Sequence, residues 1–148
     1  MFDRAKSPST DQFINDSNRI LADAELAELI DLTQPACVIL SAVLHFLEAG
    51  AARAVANAFA RAVVPGSYLI ISVGSGNPSE GENFTSAFTA ARIYIHSLKE
   101  ILSFFDGLEL IPPGVVAVRL WNSDGQPQDM HAPTATFIGD VGRKPGAQ

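Results

Sequence analysis

Residues 36–48, ACVILSAVLHFLE, constrain the fold of this chain more than any other stretch. The run opens with five apolar residues and shows no polar alternation. A strand with one wet face would alternate. A run apolar on both faces predicts a strand covered by helices on both sides, as in a parallel sheet. Cys37 inside it is then expected to be a small core residue. Ser41, His45 and Glu48 follow among apolar neighbours. In open α/β sheets ligands sit beyond the carboxyl ends of the strands, so residues 41–46 are the first place to look for a site.

The flanking sequence extends this reading. Residues 51–64 predict an amphipathic helix, with Val55, Phe59, Ala62 and Val63 on one face and Arg53, Asn57 and Arg61 on another. Pro65-Gly66 ends it. Residues 68–73, YLIISV, predict a second strand, and strand–helix–strand over 36–73 makes a parallel βαβ unit. Upstream, residues 1–12 read as a polar tail and residues 13–14 as the stub of a short strand. Residues 20–31 read as a helix that Asp16, Ser17 or Asn18 can cap. Downstream, 74–83 predict a loop and 84–95 a helix with Phe84, Phe88 and Ala91 on one side. Ser97 and Glu100 form a capping-box pattern ahead of a helix whose buried face is expected to hold Leu98, Ile101, Leu102 and Phe105. Residues 108–111 and 115–120 are extended, and Pro112-Pro113-Gly114 bends the edge strand between them. After a polar loop over 122–133, residues 135–141 predict a last strand, antiparallel to the one before it.

Composition narrows the class. The 148 residues fit one domain able to bury a core, and 47% hydrophobic against 18% charged content argues against disorder throughout. A net charge of −6, with no basic cluster larger than Arg143-Lys144, argues against nucleic acid or an anionic membrane as partner. One cysteine excludes an intrachain disulfide and fits a reducing cytoplasm. The start of the sequence has no signal-peptide pattern, and no uncharged apolar stretch reaches about 18 residues.

The chemical candidates are few. His45, His96 and His131 stand far apart in sequence, without the ligand pairs of a metal site. His45 has two readings, a polar contact to a substrate or cofactor and a histidine bonded to nearby backbone. His96 reads as a staple with Ile101, and His131 as a solvated loop residue. Gly74-Ser75-Gly76 lacks the third glycine of a phosphate fingerprint, because Ser79 stands there. Ser72, Ser75 and Asn77 nonetheless leave the same sheet edge as Ser41 and are candidate pocket residues. No serine has the G-x-S-x-G pattern. Glu80 and Glu82 read as solvated, and Trp121 as a wedge at the core edge.

Taken together, ACVILSAVLHFLE, VVPGSYLIISVG, FFDGLELIPPGVVAVRLW and GDVGRKP resemble the C-terminal half of the actinobacterial S-adenosylmethionine-dependent methyltransferase family known as DUF574. The resemblance runs from about residue 13 to residue 145. AVLHF at 42–46 and FFDGLEL at 104–110 are its most specific parts. It implies a partial Rossmann-like methyltransferase fold in an α/β domain over 13–148. Residues 36–41 would be the fourth strand, 68–73 the fifth, 108–120 the sixth and 135–141 an antiparallel seventh. The N-terminal strands are expected to be missing, with the glycine-rich donor loop, since no glycine precedes Gly50. By the same resemblance the cofactor is S-adenosylmethionine and the substrate a small molecule. Asp16 resembles the acidic position near the adenine. Ser41, Ala42, Val43, Leu44, His45 and Phe46 resemble the segment lining the methyl-donor pocket, while Ser72, Ser75 and Asn77 fall on the substrate side. No catalytic residue and no metal ligand is assigned. The fourth strand would lack a neighbour, so a homodimer through the edge of 36–41 is expected. Two functions follow: a methyltransferase acting on a small molecule, or an inactive, truncated copy serving as a dimerising or binding module.

Overall fold

Two parallel strands and the helix that joins them form the centre of the structure. The computed structural model of the chain describes residues 10–76, 92–121 and 136–146, and all that follows concerns them. β1 (Cys37–Ser41) pairs in parallel with β2 (Tyr68–Ser75), from Cys37 opposite Tyr68 to Ser41 opposite Ser72. A 3-10 turn (Leu44–Phe46) leads from β1 into the crossover helix, which follows α1 (Thr10–Leu21) and α2 (Ala24–Leu29) and is named α3 (Ala49–Ala62). Then come α4 (Leu98–Ser103), β3 (Glu109–Leu110), β4 (Val116–Ala117), a 3-10 turn (Val118–Leu120) and β5 (Thr136–Arg143).

The last strand is inserted into the sheet. β5 runs antiparallel to β2 along its whole length, from Tyr68 opposite Arg143 to Ser75 opposite Thr136. Its other edge takes β3 and β4, so the order is β1-β2-β5, then β3 and β4 side by side along β5. The expected antiparallel ending is therefore present. The Pro112-Pro113-Gly114 stretch cuts the edge strand into two short pieces, because proline supplies no amide to the ladder. The second piece is shorter than the expected 115–120. It gives way to a turn in which the Trp121 amide donates to the Val118 carbonyl, and the indole Nε1 then donates to Oδ1 of Asp140 at 3.3 Å.

One face of this sheet holds the core. Leu40 on β1 and Leu69, Ile71 and Val73 on β2 are buried, and α3 covers them with Ala51, Ala52, Val55, Ala56, Ala60 and Val63. Ile101, Phe104 and Phe105 close the other end of the same layer. In α4 the capping box is formed as expected, the Ser97 side chain accepting from the Glu100 amide and the Glu100 carboxylate accepting from the Ser97 amide. Leu98 and Leu102, expected on its buried face, are exposed, and Phe104 at the helix end takes the core position instead.

The opposite face corrects the first expectation of the sequence. Cys37, Ile39 and Ser41 share it with Tyr68, Ile70 and Ser72 of β2 and with Phe137 of β5. Among the described residues no helix covers it. Cys37 is exposed rather than in the core, Ile39 is 62% exposed, Phe137 44% and Tyr68 38%. An apolar run reports that both faces avoid water, and here only one finds its cover.

Three further boundaries differ. Residues 13–14 belong to α1 rather than to a strand stub, and helix begins at Thr10 inside the expected tail. Ser17 is buried and Leu21, four residues on, half-buried, a helical spacing that sets α1 against α3. The helix expected over 20–31 is divided at Asp23, whose carboxylate accepts the Glu25 and Leu26 amides and starts α2 anew. Gly74 and Ser75, expected in a loop, continue β2 because β5 pairs with them to the end. The helix expected over 84–95 falls mostly outside the described residues, and residues 92–95 are not helical.

Candidate functional site

Because β1 and β2 are parallel neighbours, their carboxyl ends open side by side. Ser41 and Ser72 face each other there with their hydroxyls 3.0 Å apart. The chain then turns sharply at Ala42, whose φ is +55, and whose amide donates to the Ser72 carbonyl at 2.9 Å. The following turn sorts its residues by side. Leu44 and His45 point inward, at 0% and 6% exposure. Val43 and Phe46 point outward, at 48% and 42%. Phe137 of β5 joins this rim, its ring centroid 5.9 Å from that of His45.

The inward residues are tied down by hydrogen bonds. Nδ1 of His45 accepts from the Gly74 amide at 3.3 Å, so the backbone-bonded reading of His45 is the one the structure shows. The Phe46 ring stands edge-on to it at 4.5 Å. Burial, with a smaller contribution from His96, holds the His45 imidazole below its ordinary pKa. His96 is buried too, edge-on to Phe104 at 5.2 Å, with Nε2 donating to the Leu44 carbonyl at 3.2 Å.

The other expected residues lie as follows. Ser72 and Ser75 are half-buried on β2, on the strand edge that continues from Ser41. Asn77, Glu80, Glu82 and His131 lie outside the described residues. Asp16 is on α1, half-exposed, with Oδ1 3.5 Å from Nη1 of Arg19, and the two residues border an open hollow with Ile20 and Asp23. The structure thus brings residues 41–46 together with Ser72 and Gly74, while Ser75 points to the opposite face of β2 from Ser72 and Asp16 stays on the helical layer. Phe137 escaped the sequence reading, although its place at an outward position of the last strand was a usable signal. Among the described residues, no three His, Cys, Asp or Glu side chains converge as metal ligands, and no helix is long and apolar enough to cross a membrane.

This edge fits one side of a donor such as S-adenosylmethionine. It offers a hydroxyl pair, the backbone at Ala42, and the exposed apolar side chains Val43 and Phe46. It offers no second side, since among the described residues β1 pairs only with β2.

Comparison with known proteins is consistent with this architecture. Residues 5–145 match the S-adenosyl methyltransferase family. A candidate methyltransferase of Thermobifida fusca YX superposes with a TM-score of 0.73 at 28% identity, covering 90% of this chain and 52% of its own. A DUF574 family protein of Streptomyces avermitilis superposes at 0.71 with 27% identity, covering 89% of this chain and 53% of its own. The chain therefore spans about half the length of these relatives. No curated protein matches the sequence.

Proposed function

The chain belongs to the S-adenosyl methyltransferase family, and from that membership we propose that it builds one wall of a methyl-transfer cleft at the carboxyl ends of β1 and β2. The observation that carries this is the pairing of Ser41 with Ser72 beneath the outward-facing Val43 and Phe46. The donor supplies an activated methyl group to a small acceptor. The chain's own contribution is to hold and orient. Ser41 and the Ala42 backbone present polar groups, Val43 and Phe46 exclude water from the apolar parts of the ligand, and Ser72, on the same sheet face as Ser41, faces the acceptor side. Positioning of this kind lowers the barrier by removing translational and rotational freedom before reaction. No glycine precedes Gly50, so residues 1–49 hold no counterpart of the glycine-rich loop that the family resemblance implies.

Calorimetric titration of the purified chain with S-adenosylhomocysteine tests the proposal. Micromolar binding supports a donor site assembled on this chain, alone or between copies. A folded chain that gives no heat up to millimolar ligand refutes donor binding by these 148 residues.

A second reading has its own support in the edge of β1 that no strand among the described residues pairs with. CVILS carries no charge and no proline to blunt it, and Ile39 at its centre is 62% exposed. In this reading the chain is a truncated, inactive copy that dimerises by antiparallel pairing of β1 about Ile39. Sedimentation should then show a dimer that Ile39→Lys converts to monomer, and a wild-type chain that sediments only as monomer would sink it.

A further inference from the structure

The turn Leu44–Phe46 is held from two segments distant in sequence. Nδ1 of His45 accepts from the Gly74 amide at 3.3 Å, at the end of β2. The His45 carbonyl accepts from the Tyr94 amide at 2.7 Å, and the Leu44 carbonyl accepts from Nε2 of His96 at 3.2 Å, both ahead of α4. These partners fix the protons on the two rings. An amide can only donate, so Nδ1 of His45 must present a lone pair and its neutral ring carries hydrogen on Nε2. A carbonyl can only accept, so Nε2 of His96 carries hydrogen as well.

The two rings answer protonation differently. On His96 a proton adds at Nδ1 and leaves the bond to Leu44 in place. On His45 it must add at Nδ1 itself, which sets N–H against the N–H of Gly74 and ends that bond. We propose that His45 is a positioning residue: as the neutral Nε2–H imidazole it clamps the turn bearing Val43 and Phe46 to the end of β2, and on taking up a proton it releases that turn.

The surroundings favour the closed state near neutral pH. Phe46 stands at 4.5 Å from its own turn and Phe137 at 5.9 Å from β5, and neither can stabilise a buried charge by hydrogen bonding. From the segment before α4, a charge on His96 would oppose one on His45. Arg92 of that segment lies over the Tyr94 ring at 4.9 Å, and Glu100 is engaged with Ser97. Among the described residues no carboxylate acts on the His45 ring. The inference rests on the cleft reading in one respect, that the clamped turn is the cleft wall.

Long-range ¹H–¹⁵N spectra of the labelled chain read the tautomer, and amide exchange at Gly74 reads the clamp. We expect the Nε2–H tautomer at pH 7.5. Protection of Gly74, corrected for the intrinsic exchange rate, should fall by up to roughly tenfold per pH unit as pH drops from the ordinary imidazole value of about 6.5 towards the lowered folded-state transition of His45, the slope of one linked proton. His45→Asn keeps an acceptor for Gly74, its Oδ1 standing two bonds from Cβ as Nδ1 does, but cannot titrate, so it should retain protection at pH 7.5 and lose the slope. His45→Ala should lose protection at every pH. An Nδ1–H tautomer, a flat profile in the wild type, or an unchanged slope in the Asn variant would each overturn the proposal, and the wild-type spectra decide it if the Asn variant does not fold. None of these readouts involves a methyl donor, so a failed titration with S-adenosylhomocysteine would leave the clamp standing and a failed clamp would leave the titration informative.

Discussion

Replacing Lys144 by methionine isolates the contribution of one ammonium group to the whole domain. Lys144 follows β5, and its Nζ reaches across to the end of α3, donating to the carbonyls of Ala60 at 2.9 Å, Arg61 at 3.4 Å and Val63 at 2.7 Å. Carbonyls in the last turn of a helix have no partner within it, and a positive charge there also meets the negative end of the helix dipole. Methionine keeps most of the stem and therefore the packing. The backbone bonds of residue 144, from its amide to the Ser67 carbonyl at 2.8 Å and from the Gly66 amide to its carbonyl at 2.9 Å, are kept as well. Hydrogen bonds from a charged donor contribute roughly 1.5–3 kcal/mol each. Two of the three here are short, and because Lys144 is only half-buried, water can reach part of the vacated carbonyls. The net loss should be about 2 kcal/mol, which for a domain of this size lowers Tm by roughly 4–8 °C. Thermal unfolding followed by far-ultraviolet circular dichroism at pH 7 measures it. The loss should persist in molar salt, since screening acts mainly on exposed charges. A Tm within about 1 °C of wild type would refute the idea that this lysine ties the sheet to α3.

Three other outcomes follow from the geometry. Gly139→Ala places a methyl group onto the backbone carbonyl of Ile71, which cannot swing aside, so β2–β5 pairing should fail and the variant should unfold well below the wild type in a urea titration. Gly50→Ala, in the first turn of α3 with nothing within 4 Å of the new methyl, should instead gain about 0.5 kcal/mol in the same assay. Ser97→Ala removes the cap of α4 and should cost about 1 kcal/mol, with a drop in helical circular dichroism near the transition. For pH, the folded-state pKa of His45 is lowered, so its contribution is fully present above the unfolded value of about 6.5 and is lost as pH falls towards the folded value. Urea midpoints should therefore decline from pH 7 to pH 5.5, and the decline should be shallower in His45→Asn.

Much of the fold was legible because its signals are strong and local. Two apolar runs, the helix between them, Pro65-Gly66 and the Ser97–Glu100 box each fix one element by backbone chemistry alone. What misled was context. The run at 36–40 is apolar at every position, which cannot report that Cys37 and Ile39 stay exposed while Leu40 is buried. Phe13-Ile14 were too few to separate strand from helix, and the decisive spacing of Ser17 and Leu21 lay beyond them. Gly74 resembled a loop residue because its strand partner, Phe137, is sixty-three positions away. The candidate site was found as a segment but not resolved within it. The sides of the turn Leu44–Phe46 follow from its hydrogen bonds to Gly74, Tyr94 and His96, which no periodicity in residues 41–46 contains.

The insertion of β5 between β2 and the β3–β4 pair has a consequence for how the chain reaches this form. A ribosome delivers the chain from its N-terminus, so β3 and β4 emerge before β5, the strand they pair with among the described residues. β1, α3 and β2 can assemble early, since their contacts are near in sequence. The sheet is completed only when residues 136–143 thread into the gap, the kind of distant pairing that slows folding. A stop codon placed before that strand would then remove three strands from the sheet rather than one, and the nascent domain would wait, half-built, on residues 136–143.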